Sequence, residues 1–515
     1  MAGFTLAMVG LGLMLQGIWD LSFTSVCIGV VTATLCAALI APKKPNTARL
    51  WFVPPLLMIP VAMFALWYVM TMAFGHFGVG PILFHMEYGT SANGVVGAFF
   101  GQWIVEILYA TMLIIGVWII SAVDYRFRRL DRAVIVPALI VNPISLATLE
   151  YVGDAEAASE QLLYNRYIDT ADLAPVEGNR PNVLQIFLES SERTLMDESA
   201  FGDVMAPLAP FAARGLELTN VHEAALTNWT LAGQIAAHCG VPLMPVGLVN
   251  RNNFHVAGDN FMDQATCLGD LLSRDGYETA FMKAAPLSFA GVDKYAATHG
   301  WERRLGFVEL KHVVDAGVIE WGMNDEDLYD ALYDQIVDLE GGDKPYALAA
   351  TNIGGHSPRG YVSPKCRTRA SVTRYDNPML QAFRCTHELT AELIARLEAD
   401  GYLKNTIVIL QSDHLAMRNS IYSDLKARER RNLFIAYGPG IEPQTIDRDL
   451  SMMDIYPTLL DMLGYTPADG RAGIGLSAFA QGETLIEERG LRALDKAIYG
   501  DAALRNRLWG IKAGS

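Results

Sequence analysis

Val183-Leu-Gln-Ile-Phe-Leu188 is a short, mostly apolar run that ends in Glu189. Three other runs have the same form. Tyr346-Ala-Leu-Ala-Ala-Thr-Asn-Ile353 leads into Gly354-Gly-His356, Thr406-Ile-Val-Ile-Leu410 into Gln411-Ser-Asp413-His414, and Thr279-Ala-Phe-Met282 into Lys283. Runs of this length and composition read as buried strands. In an open parallel sheet the ligand crevice lies at the carboxyl ends of the strands. If the four runs are neighbours, Glu189, Asp413, His414, His356 and Lys283 gather at one rim, a donor set suited to metal-assisted chemistry.

Between the runs, apolar residues recur at helical spacing over 268–275, 326–339 and 386–400. Strands alternating with helices predict an α/β domain with a mainly parallel central sheet. We place this domain at 181–482, after an acidic linker at 153–180 and before a polar, helix-prone tail at 483–515.

The first third of the chain differs in kind. The 515 residues are 51% hydrophobic, and mean hydropathy is +0.21. The apolar excess is concentrated in five runs, at 3–19, 22–41, 51–73, 97–121 and 133–152. Each is near the roughly 20 residues that cross a bilayer, so residues 1–152 are expected to form a transmembrane bundle of five helices. Lys43, Lys44 and Arg49 fall in one connecting loop and Arg126, Arg128, Arg129 and Arg132 in another. By the positive-inside rule both loops are cytoplasmic, which places the N-terminus inside and the α/β domain outside. Trp19, Trp51 and Trp103 lie near span ends, as an interfacial belt requires. Glu106 is an intramembrane acid close enough to the outer edge to reach polar surroundings.

Net charge is −16, and all of the acidic excess lies beyond residue 152. Nucleic-acid binding, which needs a basic face, is not expected. Cys27 and Cys36 fall inside the second span, whereas Cys239, Cys267, Cys366 and Cys385 fall in the outer domain. Four cysteines in an oxidising compartment suggest two disulfides. Local loops favour Cys239–Cys267 and Cys366–Cys385, among three possible connectivities.

Within Leu226-Thr-Asn-Trp-Thr-Leu-Ala-Gly-Gln-Ile-Ala-Ala-His-Cys-Gly240, residues 231–238 read as a helix with Thr230 at its start. The free N–H groups of a helix N-terminus favour phosphate, and a hydroxyl there becomes a nucleophile when a metal lowers its pKa. Plain N-capping is the ordinary role of such a threonine, and Thr227 is a rival hydroxyl. Glu189, and the Asp413-His414 pair, offer oxygen and nitrogen ligands suited to Mn²⁺ or Zn²⁺, with Mg²⁺ admitted. His356 sits in a glycine loop that lets backbone approach a ligand, positioned to protonate a leaving oxygen or hold a phosphoryl oxygen. Lys283 can pair with phosphate as a point charge. His222, His238 and His255 are read as structural.

Taken together, these residues resemble the alkaline-phosphatase and sulfatase superfamily, and within it the membrane-anchored phosphoglycerol transferases of osmoregulated periplasmic glucans. The matching stretches are Asn182 to Arg193, Thr227 to Gly233, His238 to Leu243, Cys267 to Asp270, Ser412 to Met417, Arg431 to Phe434 and Ser451 to Leu460. Lipoteichoic acid synthase and the phosphoethanolamine transferases are similar at greater distance.

The resemblance implies an alkaline-phosphatase-like fold with one divalent metal held by Glu189, Thr230, Asp413 and His414. Thr230 would be the nucleophile and His356 a substrate contact, and the four outer cysteines would match cysteines of the glucan-modifying enzymes. It further implies an inner-membrane enzyme with a periplasmic domain, taking phosphoglycerol from a membrane phospholipid and passing it through a phospho-threonine to a glucan. Two departures are visible. The sulfatase motif of Cys or Ser followed by x-Pro-x-Arg is absent at the nucleophile, which argues against sulfate-ester hydrolysis. The polar and aromatic cluster with which lipoteichoic acid synthase reads glycerol phosphate is mostly missing from Lys283 to Val292. A phosphoethanolamine transferase or a water-using phosphodiesterase is the alternative within this chemistry. A silent membrane scaffold is the alternative outside it, against which the complete set Glu189, Thr230, Asp413 and His414 counts.

Overall fold

The computed structural model describes residues 161–244, except 177 and 179, and residues 260–511. The five expected spans, with Glu106, Cys27 and Cys36, lie outside the described residues. Among the described residues no helix is long and apolar enough to cross a membrane.

Eight strands form the central sheet: β1 (Asn182–Leu188), β2 (Leu216–Leu218), β3 (Glu278–Lys283), β4 (Arg303–Leu305), β5 (Tyr346–Thr351), β6 (Thr406–Ser412), β7 (Phe434–Tyr437) and β8 (Gln444–Ile446). Their order across the sheet is β8-β2-β7-β6-β1-β5-β3-β4. Only β7 runs against the others, so the sheet is mainly parallel. The four runs singled out in the sequence are the adjacent strands β6, β1, β5 and β3. Their ends are level: Leu188 stands opposite Ser412, and Thr351 stands opposite both Phe187 and Lys283. This register sets Glu189 beside Asp413 at the carboxyl edge.

Every residue of β1, β5 and β6 is buried, because helices cover both faces of the sheet. Alternate side chains serve opposite cores. Val183, Phe187, Phe281, Ile407 and Ile409 pack toward α1 (Thr230–Cys239) and α2 (Leu268–Arg274). Leu184, Ile186, Met282, Val408 and Leu410 pack toward α3 (Asp325–Glu340) and α4 (Pro378–Ala399). In α3, Leu328, Leu332, Ile336 and Leu339 follow the three-to-four spacing of one buried face. The disulfide Cys239–Cys267 joins the end of α1 to the start of α2, and Cys366–Cys385 joins a loop to α4.

The final residues are polar in composition but amphipathic in structure. Leu485, Ile486, Leu494, Ile498, Leu504 and Leu508 are all buried. Asp501 caps helix Ala502–Leu508 through Leu504 N, while its other oxygen accepts from Leu163 N and Tyr164 N at the start of helix Leu162–Arg166. One carboxylate thus fastens the entry of the domain to its exit.

Candidate metal centre

Glu189 is the first residue beyond β1, and the chain turns at once. Ser190 adopts φ 59°, an unusual left-handed conformation for a serine. The turn points Ser190 N at Asp413 Oδ1 (2.9 Å) and Ser190 Oγ at Glu189 Oε1 (2.8 Å). Asp413 Oδ1 also accepts from His414 N at 2.9 Å. His414 in turn donates Nδ1–H to the Leu415 carbonyl at 2.8 Å, which leaves Nε2 as the ligating position of the neutral ring. Glu189, Asp413 and His414 are almost wholly buried.

Each of these residues offers one donor atom, and the three atoms lie within 4.8 Å of one another. His414 Nε2 stands 3.4 Å from Glu189 Oε1 and 3.4 Å from Asp413 Oδ2. These are charge contacts rather than hydrogen bonds: Asp413 Oδ2 and His414 Nε2 are buried with no hydrogen-bond partner. Buried polar atoms are normally satisfied. Ligands held about 2.0–2.3 Å from one ion stand about 3–3.5 Å from each other. The chemistry and spacing of the donors therefore fit a divalent cation.

The charge balance points the same way. Burial alone would raise the Glu189 carboxyl, but positive charge on His356 and His414 reverses this and holds it below the usual carboxylate range. Burial and the neighbouring Glu189 push Asp413 up to about 7. Burial disfavours the His414 cation, yet Asp413 and Glu189 raise its pKa to about 10. Without a metal, protons supply the positive charge that this cluster requires.

Thr230 opens α1, and its Oγ1 donates to Glu189 Oε2 at 3.3 Å. It is half-buried, and the residue that caps the helix, Trp229, makes no side-chain cap. The rival hydroxyl, Thr227, is fully buried and spends its proton on the Ala224 carbonyl. What lets α1 come so close is Gly233. A Cβ there would stand 1.7 Å from the Asp413 carbonyl oxygen. Gly233→Ala should push α1 away from the 413–414 loop at a cost of about 1–3 kcal/mol. Thermal melting and cation titration check this, and an unchanged melting temperature with unchanged affinity would contradict it.

His356 and Lys283 lie within electrostatic reach of this cluster. Burial lowers the His356 pKa against the pull of Glu189. Its Nδ1 is held by the Ser357 carbonyl at 2.7 Å, and its ring lies 4.2 Å from that of Trp321. Lys283 is buried, and burial lowers its pKa although Glu189 and Asp413 favour its charge. Its Nζ lies 5.7 Å from the centre of the Phe289 ring, which meets Trp321 edge-on.

Several supporting residues carry no local signal in the sequence. Asn352 Oδ1 accepts from Glu189 N at 2.7 Å. Asp325, buried at the start of α3, accepts from Ile353 N, Gly354 N and Thr386 Oγ1, and so fixes the loop that leads to His356. Arg430 donates to both oxygens of the fully buried Glu192 and to the Ala416 carbonyl, tying the turn after β1 to the loop after β6. Glu223 accepts from Leu415 N at 2.7 Å. A second potential donor group, Cys267, Asp270 and His299, is satisfied internally. The cysteine is in a disulfide, and Asp270 Oδ2 pairs with both Cys267 N and His299 Nδ1. His238 is a core residue, bonded to Gln185 and Tyr295 and held neutral by burial.

A buried Glu–Asp–His cluster at the carboxyl edge of a mainly parallel sheet defines an alkaline-phosphatase-like α/β domain. The chain belongs to the sulfatase family, whose profile matches residues 181–465. Among curated relatives, the chain is 33% identical over 311 residues to phosphoglycerol transferase I of Citrobacter koseri, covering 59% of this chain and 40% of that protein. It is 31% identical over 310 residues to the Escherichia coli protein of the same name, with the same coverage. The chain thus spans about two fifths of the length of these relatives. Two solved structures share the fold. A protein of the alkaline phosphatase superfamily from Vibrio parahaemolyticus gives a TM-score of 0.53 at 19% identity, covering 70% of this chain and 97% of that one. The lipoteichoic acid synthase LtaP of Listeria monocytogenes gives 0.52 at 15% identity, covering 68% and 98%.

Proposed function

We propose that this protein is a metal-dependent phosphotransferase that moves phosphoglycerol from phosphatidylglycerol to a hydroxyl acceptor, a periplasmic glucan or similar polymer. The observation that carries this reading is the pair of unsatisfied buried ligand atoms, Asp413 Oδ2 and His414 Nε2, beside a carboxylate that holds the Thr230 hydroxyl. The names of the curated relatives support the head group.

Glu189, Asp413 and His414, joined by Thr230, would hold one Mn²⁺, Zn²⁺ or Mg²⁺. When bound, the ion would lower the pKa of the Thr230 hydroxyl and polarise the phosphate. Thr230 Oγ1, its proton released to solvent, attacks phosphorus, and the bond from phosphorus to the diacylglycerol oxygen breaks. The free N–H groups at the start of α1 receive the phosphoryl oxygens, and Lys283 offsets their charge. With Nδ1–H donated to the Ser357 carbonyl, His356 gives a proton from Nε2 to the departing oxygen in its cationic form, the form that the Glu189 carboxylate favours. In the second half the acceptor hydroxyl attacks phosphorus, His356 takes its proton, and Thr230 is released. The apolar first third of the chain would anchor the protein in the inner membrane, with this domain on the periplasmic side.

The test is mass spectrometry of the full-length protein incubated with phosphatidylglycerol and Mn²⁺. A phosphoglycerol adduct on the Thr230 peptide is the expected result. An adduct from phosphatidylethanolamine alone would keep the mechanism and change the head group. Lipid consumption with no adduct under quenched, single-turnover conditions would replace the covalent step with direct attack by water.

A further inference from the structure

We propose that the segment from Val308 to Val318 is a lipid-contacting surface that docks the site onto the phospholipid leaflet. Six large apolar side chains are exposed among the described residues, and three of them fall in these eleven positions: Val308 at 64%, Val313 at 43% and Val318 at 61%. Exposed apolar residues scattered singly need no explanation, whereas a contiguous exposed apolar patch marks an interaction site, and half of the exposed large apolar side chains falling in one short segment is the reason to propose one here.

The valines are held outward by a built scaffold. Phe307, Leu310, Val314 and Ile319 turn inward against the core. Gly306 N donates to Glu309, closing the turn that carries Val308. Asp327 accepts from Asp315 N and Ala316 N, and Asn324 donates to the Gly317 carbonyl. The strands Val318–Ile319 and Gly322–Met323 then pair as a hairpin.

This segment adjoins the candidate metal centre at both ends. Phe307 N and Met323 N donate to the Ala285 and Ala284 carbonyls, directly after Lys283. The turn of the hairpin carries Trp321, whose ring lies against His356.

Three observations favour lipid over a protein partner. In the sequence, the last long apolar run ends at about residue 152, nine residues before the described domain begins. Exposed Lys311 lies between the valines, where its long stem can carry the ammonium to lipid phosphates, although the exposed acids Glu309 and Asp315 flank it. The third is the site itself: on the reading given under Proposed function, on which this inference rests, the phosphate bound beside Lys283 and His356 belongs to a lipid.

The test uses the full-length protein in phosphatidylglycerol nanodiscs. The photoreactive residue p-benzoylphenylalanine replaces Val308, Val313 or Val318 in turn, and exposed Asp334 on α3 as a control. Phospholipid adducts at the valines and none at 334 are expected. No adduct at the valines, or equal adducts at 334, would overturn the proposal. The triple variant Val308→Glu, Val313→Glu and Val318→Glu should lose about tenfold or more in turnover of bilayer phosphatidylglycerol. Its turnover of a water-soluble short-chain phosphatidylglycerol should stay within about twofold. Equal loss on both substrates would also overturn it. If the unmodified protein consumes neither lipid, the transferase reading fails while the crosslinking result still decides this one.

Discussion

Thr230→Ala is expected to lower phosphoglycerol transfer by about 10⁴-fold or more, the scale on which loss of an attacking group acts, while the fold stays intact and Glu189, Asp413 and His414 still hold the metal, more weakly. The geometry separates the two effects. Thr230 does not cap α1 with its side chain, and the remainder of the helix is buried and fastened by Cys239–Cys267. Its removal takes one long contact, 3.3 Å, from Glu189 Oε2, and Ser190 still holds the other oxygen. Thr230→Ser should recover part of the rate, because the hydroxyl returns. Thr227→Ala should spare the chemistry, since that hydroxyl is committed to the Ala224 carbonyl. Steady-state transfer from labelled phosphatidylglycerol, with metal analysis of each variant, gives the answer. Normal turnover by Thr230→Ala would remove Thr230 from the mechanism.

Removing the cation should abolish transfer by about 10³-fold or more, and Mn²⁺ or Zn²⁺ should restore it. The affinity should also depend on pH with a definite sign. Metal-free His414 stays protonated up to about 10, and Asp413 up to about 7. A cation needs both groups deprotonated, so binding expels protons and tightens as pH rises. The slope should be about one decade per pH unit between about 7 and 10, and steeper below about 7. Equilibrium dialysis of the metal-stripped protein at pH 6, 7 and 8 measures this. An affinity independent of pH would mean that these side chains are not the ligands. His414→Ala should flatten the upper part of the profile as well as weaken binding.

The central sheet was legible because a strand buried on both faces must be apolar along its whole length, which makes its polar terminus stand out. Glu189, Lys283 and Asp413 are the first charges after long apolar runs, or close to them. The same logic was blind to β7 and to the short strands β2 and β8, where antiparallel pairing and three-residue length leave little pattern. It was equally blind to Asp325 and Asn352, whose importance lies in contacts 28 and 163 residues away along the chain. A buried aspartate at the start of a helix looks in sequence like any acidic first turn. Trp321 lies in a segment of ordinary polarity, and only the hairpin brings it to His356. The tail is polar and helical, as its composition suggests, but that composition did not show that Leu485, Ile486, Leu494, Ile498, Leu504 and Leu508, on three short helices, are buried.

The candidate metal ligands and the residues proposed to face substrate occupy different kinds of backbone. Glu189, Asp413 and His414 follow directly from the central strands, clamped by Ser190, Asn352 and the Glu192–Arg430 pair. Lys283 is tied to the sheet, but Phe289, Trp321 and His356 stand on loops and a hairpin at one side. The domain thus divides two mechanical tasks: the rigid sheet edge fixes the Glu189–Asp413–His414 cluster, and the loops beside it can change shape without moving that cluster.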